Sequence, residues 1–65
     1  MEYRLFFFDF FGQVMGVTPF DARDNQTAIV VAIELSESVR DQRTELWDGR
    51  QLVMRRSFPE VAGAD

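Results

Sequence analysis

The stretch Arg4-Leu5-Phe6-Phe7-Phe8-Asp9-Phe10-Phe11-Gly12, RLFFFDFFG, decides how this chain folds, and five of the seven phenylalanines lie in it. Tyr3 to Phe8 reads as a strand, because aromatic side chains suit a pleated surface. Alternation places Tyr3, Leu5 and Phe7 on one face and Arg4, Phe6 and Phe8 on the other. Both faces are therefore mostly apolar. Asp9-Phe10-Phe11-Gly12 follows, with Asp first and Gly fourth, the pattern of a type I turn. The Asp9 carboxylate can accept from the turn's own amides. Gly12 can take a positive φ and absorb a bulge. Phe10 and Phe11 then belong to a hairpin tip and not to a strand.

The second strand is expected from about Gln13 to Phe20. Gly16 weakens it or marks a bulge, and Pro19 places it at an edge or at the strand's finish. A helix is expected from Asn25 to Arg40, with Asp24 as N-cap and Asn25 or Asp21 as alternatives. Ala28, Ala32, Leu35 and Val39 share a stripe, which Ile29, Val31 and Ile33 widen to roughly 200° of arc. Val30 falls on the outer side with Glu34 and Glu37. Arg40, and Arg43 if the helix reaches it, suit the negative C-terminal end.

Thr44 to Arg56 reads as a second hairpin. Asp48-Gly49 between two apolar-bearing runs signals a two-residue type I′ turn. Trp47 and Arg50 would then face each other across it, close enough for a cation–π contact. Leu52 and Met54 would share one face of the last strand, with Val53 on the other. Ser57 to Asp65 carries Pro59, Gly63 and small residues. Residues 1–57 are thus expected to form one domain and residues 58–65 a tail that orders only if it docks. The order is ββαββ, an α+β domain with a small antiparallel sheet and one helix on one face.

The composition narrows the function. At 65 residues the chain buries only ~60% of its unfolded surface, so it needs help to be stable. It has neither Cys nor His, so disulfides and an ordinary zinc site are not expected. The commonest general base and strongest nucleophile are missing too, and Asp9, Asp24 and Asp48 serve turns and a cap. Asp21 to Asn25 lacks the ligand spacing of a calcium loop. No catalytic residue, cofactor or metal is expected, and the protein reads as a non-enzyme. A net charge of −4 disfavours bulk attraction to nucleic acid or anionic membranes. Leu5 to Phe8 is too short to span a bilayer and lacks the flanks of a signal peptide, so a cytoplasmic protein is expected.

One helix of about sixteen residues, ~24 Å long, can cover one sheet face and not two. The face with Phe6 and Phe8 must meet something. A second copy is the first expectation, since two-fold dimers dominate soluble oligomers. An unidentified protein is another, and cover by Phe58 and Val61 of the tail a third. The contact residues expected are Phe6, Phe8, Phe10, Phe11 and Trp47, the last equally suited to the core. A second reading is nucleic-acid or anionic-ligand binding through Arg50, Arg55 and Arg56 of the C-terminal hairpin, among which acidic residues are interleaved.

The frame Tyr3-Arg4-Leu5, Phe7, Asp9, Gly12, Asp21-Ala22, Asp24, Ala28, Ala32, Leu35, then Glu45-Leu46-Trp47, Gly49, Leu52-Val53 and Arg55 resembles a group of small, acidic, uncharacterised alphaproteobacterial proteins. The Glu-Leu-Trp-x-Gly-x-x-Leu-Val-x-Arg segment is its most specific part. The resemblance implies a small stand-alone cytoplasmic protein with no assigned activity, and it brings no catalytic residues. Phe10-Phe11 departs from the polar residues expected at that turn. In element order the ββαβ beginning is also similar to small antitoxin-like and RNA-binding domains, an analogy of fold that does not fix function.

Overall fold

The computed structural model describes residues 1–39 and 43–57. Strands β1 (Glu2–Phe8) and β2 (Val14–Asp21) form the first hairpin, and helix α1 (Asn25–Ser36) follows. A 3-10 turn at Glu37–Val39 continues the helix, and β3 (Arg43–Asp48) and β4 (Gln51–Arg56) form the second hairpin. The four strands make one antiparallel sheet in the order β2-β1-β3-β4. The fold is the expected α+β ββαββ arrangement, with the phenylalanine-rich β1 between two neighbours.

The helix-side core holds Tyr3, Leu5, Ala22, Ala28, Ala32 and Leu46, with Phe7, Phe20, Ile29, Val53 and Met54 packed around it. Three of these six buried side chains are alanines, so the helix lies close to the sheet and little large apolar volume is enclosed. Tyr3 ties the layers together. Its ring stacks on Phe20 with centroids 5.9 Å apart, and its hydroxyl donates to Asn25 Oδ1 at 2.7 Å. Asp24 is the N-cap: its Oδ1 accepts from the Thr27 amide at 2.8 Å.

Expectations for the helix and for the second hairpin are corrected. The α-helix stops at Ser36, where the backbone tightens to 3-10 geometry and the Glu37 amide bonds the Glu34 carbonyl. Ser36 Oγ donates to the Ile33 carbonyl at 3.1 Å, a local bond that competes with the helical ladder. Arg40, the expected end, lies outside the described residues, and Arg43 belongs to β3. The buried stripe is Ala28, Ala32 and Ser36, not Leu35 and Val39; Leu35 is 39% exposed. Small residues at that four-residue spacing let the helix approach the sheet, which turns Leu35 outward.

The second hairpin differs by one residue. Asp48 pairs with Gln51, so the loop is Gly49-Arg50 and not Asp48-Gly49. Gly49 has φ +62°, and among the described residues no non-glycine has positive φ, the signature of a type II′ turn. A type I′ turn would have forced a second residue into the left-handed region. Trp47 therefore faces Leu52 and not Arg50. A bulge between Leu46 and Trp47 then separates Leu52 from Met54: Met54 pairs with Leu46 on the helix side, and Leu52 pairs with Trp47 on the other. The tail expected at 58–65 lies outside the described residues.

Candidate functional site: the open sheet face and the aromatic tip

The sheet register builds the face away from the helix row by row. Pro19, Arg4, Trp47 and Leu52 form one row, and Val17, Phe6, Glu45 and Arg55 the next. Val14, Phe8 and Arg43 form the third. In the β1–β2 half Phe6, Phe8, Val14, Val17 and Pro19 are apolar, and Arg4 and the Glu2–Asp21 row are charged at its far end. Phe6 and Phe8 stack with centroids 6.5 Å apart and are half-buried, while Val14, Val17 and Leu52 are exposed.

Glu45 joins two of the polar groups on this face, while Arg43 Nε is buried without a hydrogen-bond partner. Glu45 accepts from Trp47 Nε1 through Oε1 at 3.1 Å and from Arg55 Nε through Oε2 at 3.2 Å. The guanidinium of Arg43 sits 4.8 Å from the Phe8 ring centroid. A cleft of about 140 Å³ between Glu2, Arg4, Phe6, Trp47 and Gly49 indents the same face.

The β1–β2 turn is held by four hydrogen bonds. Asp9 Oδ1 accepts from the amides of Phe11 at 2.8 Å and Gln13 at 2.9 Å. The Gly12 amide donates to the Asp9 carbonyl at 3.0 Å, and the Asp9 amide to the Gln13 carbonyl at 2.9 Å. Gly12 has φ +86°, as the turn sequence requires. Phe10 and Phe11 project from this frame, 92% and 83% exposed, and touch each other edge to face at 5.5 Å.

The sites expected from sequence are placed unequally. Phe6, Phe8 and Trp47 share the open face, with Trp47 only half-buried and outside the buried core. Phe10 and Phe11 form a separate tip at one end of the sheet. The three candidate anion-binding arginines do not converge. Arg50 lies in the II′ turn, Arg55 is paired with Glu45, and Arg56 Nη1 donates to Ser36 Oγ at 3.0 Å on the helix side. Sequence reasoning missed Val14, Val17 and Leu52 on the open face; pairing the first hairpin about its Asp9–Gly12 turn would have brought Val17 opposite Phe6. It also missed Glu45 as the acceptor that joins Trp47 to Arg55, which alternation on two neighbouring strands could have indicated.

Acid–base chemistry finds little to work with among the described residues. No group of three or more His, Cys, Asp or Glu side chains is placed there to hold a metal ion. Burial, followed by the carboxylates of Asp48 and Asp24, raises the Tyr3 phenol above its ordinary value, which keeps it neutral. The Asp24 carboxyl is held below its ordinary value, chiefly by the Thr27 amide. Among the described residues no helix is long and apolar enough to cross a membrane. Comparison with protein-family models, curated proteins and solved structures returns no match.

Proposed function

We propose that this protein is a non-enzymatic interaction module that forms a homodimer through the sheet face carrying Phe6 and Phe8. One observation carries the reading: the helix covers a single face, and the other presents Phe6, Phe8, Val14, Val17 and Leu52, with Glu45 joining Trp47 and Arg55 beside them. Left wet, each large side chain forgoes roughly 1.5–3 kcal/mol of burial, a large share of the stability of so small a domain. A second copy brings the same apolar half to meet it, as an isologous contact requires. Two such faces stack like the layers of a sandwich, ~10 Å apart. Regulation or scaffolding would then act through the surfaces the dimer leaves open. This fits the small stand-alone role that the sequence resemblance implies.

The alternative, an anion or nucleic-acid site on Arg50, Arg55 and Arg56, has less support because these side chains diverge and two are engaged within the chain. The test is solution mass by light scattering after size exclusion, over a range of concentrations, with circular dichroism to confirm folding. Wild type is expected to self-associate, and Val17→Glu and Phe8→Glu to be folded species of lower mass that lose that contact. A folded wild type that stays monomeric at millimolar concentration overturns the reading. Salt-dependent binding of DNA or RNA, lost in Arg50→Ala, would favour the alternative instead.

A further inference from the structure

The domain carries a second apolar feature beside its tip. Phe7, Met15, Gly16, Leu35, Ser38 and Val39 line an open groove of about 350 Å³ between β2 and the C-terminal end of α1. Two features of the backbone create it. The helix ends early, at Ser36, and Gly16 stands opposite Phe7 on the helix side of the sheet with no side chain of its own. Gly16 needs no glycine-only conformation, since among the described residues the glycines with positive φ are Gly12 and Gly49. A Cβ built there meets nothing within 4 Å. A strand glycine accompanies a bulge, such as the register shift beside it here, or leaves room for another chain to approach, and in either case the groove floor is open.

We infer that this groove receives the Phe10-Phe11 tip of a second copy, and that the exchange is reciprocal. The groove is large enough for an aromatic side chain and is lined mainly by apolar ones. Phe10 and Phe11 are the two most exposed large apolar side chains among the described residues. Their turn is fixed by the Asp9 hydrogen bonds, so the rings are presented to a partner without further ordering. The same frame holds them away from their own groove.

Tip and groove lie at the same end of the sheet: Met15 and Gly16 follow Phe11 by a few residues. A two-fold axis beside Gln13 would carry each tip into the other copy's groove, the self-complementarity that an isologous contact demands. Covering Phe10, Phe11, Met15 and Leu35 on both copies removes on the order of 1,000 Å² from water, the size at which a specific interface begins. This contact does not depend on the Phe6–Phe8 face, and the two fail separately.

The test is made in the Val17→Glu background, where the sheet-face contact is disabled. Three chains are compared by light scattering: that background alone, the same with Phe10→Ser and Phe11→Ser, and the same with Gly16→Leu, which fills the groove. The background chain is expected as a dimer, and each further variant as a folded monomer. Mixing the two monomers is expected to restore a one-to-one pair, because one retains the tip and the other the groove. A second readout uses wild type, half of it labelled at the Met15 and Leu35 methyls and half unlabelled. Nuclear Overhauser contacts from unlabelled phenylalanine rings to those methyls are expected. Loss of association in the tip variant with none in Gly16→Leu would mean the tip seats elsewhere and overturns the proposal. So would the absence of intermolecular contacts to Met15 and Leu35 at millimolar concentration. If the background chain stays dimeric through tip and groove while Phe8→Glu leaves wild-type mass unchanged, the sheet-face reading falls and this one stands.

Discussion

At the residue scale, Gly12 and Gly16 sit four positions apart in one hairpin for opposite reasons. Gly12 has φ +86°, and a Cβ there would meet only Arg43 Nη2 at 3.7 Å, an ordinary contact. Its constraint is the backbone, so Gly12→Ala should destabilise the fold by about 1–2 kcal/mol in urea unfolding. Gly16 has open space and no positive φ, so Gly16→Ala should stabilise it by about 0.4–1 kcal/mol. Equal effects at the two sites would contradict the described turn. Asp24 makes a third case. Asp24→Ala removes the acceptor for the Thr27 amide and should lower the melting temperature by roughly 4–8 °C, while Asp24→Asn should keep most of the cap. The folded Asp24 pKa lies below its ordinary value near 3.8. Its contribution to stability is therefore full above that value and is lost as pH falls through the folded one. Unfolding curves between about pH 5 and pH 2 should show wild type losing its advantage over Asp24→Asn.

At the scale of elements, the helix is held by small residues on its sheet side. Ala28 and Ala32 are fully buried, and Arg56 reaches Ser36 to fasten the helix end to β4. Ala32→Leu should overfill this interface and cost about 1–3 kcal/mol by chemical denaturation. Val30 is 56% exposed, so Val30→Ala should stay within about 0.5 kcal/mol of wild type. A large effect at Val30 with none at Ala32 would mean that the helix is rotated from the orientation described. The strands show a similar economy of length. Each hairpin carries one bulge, between Phe7 and Phe8 in the first pairing and between Leu46 and Trp47 in the last. The second bulge moves Leu52 onto the open face, which is why that face runs across all four strands.

At the scale of the whole molecule, the enclosed core is too small to take in the apolar side chains that this chain carries. Ten large hydrophobic residues remain exposed among those described, and all but Met1 gather on the open face, the tip, the groove and the outer side of the helix. The chain has one tryptophan, and it stands on the open face. Its emission should shift to the red on dilution as the sheet-face dimer separates, and the Phe8→Glu spectrum should match the dilute wild type at every concentration. A mass that changes with concentration while the emission does not would place the contact away from Trp47.

Short-range patterns determined much of this protein. The alternation of β1, the Asp9–Gly12 turn, the Asp24 cap and the order ββαββ each depend on neighbours a few residues apart, so they were legible along the chain. The two-sidedness of β1 also announced an uncovered face. What only the tertiary structure decided was register and depth. One position of slip in the second hairpin separated Trp47 from Arg50, and a bulge divided Leu52 from Met54. The close approach allowed by Ala28, Ala32 and Ser36 turned Leu35 out toward a groove that no periodicity revealed. These outcomes turn on pairing and packing between distant segments, where a one-residue shift exchanges the faces of a strand. The divergence of Arg50, Arg55 and Arg56 has the same origin: they are near in sequence, but a turn, a strand face and its reverse point them apart.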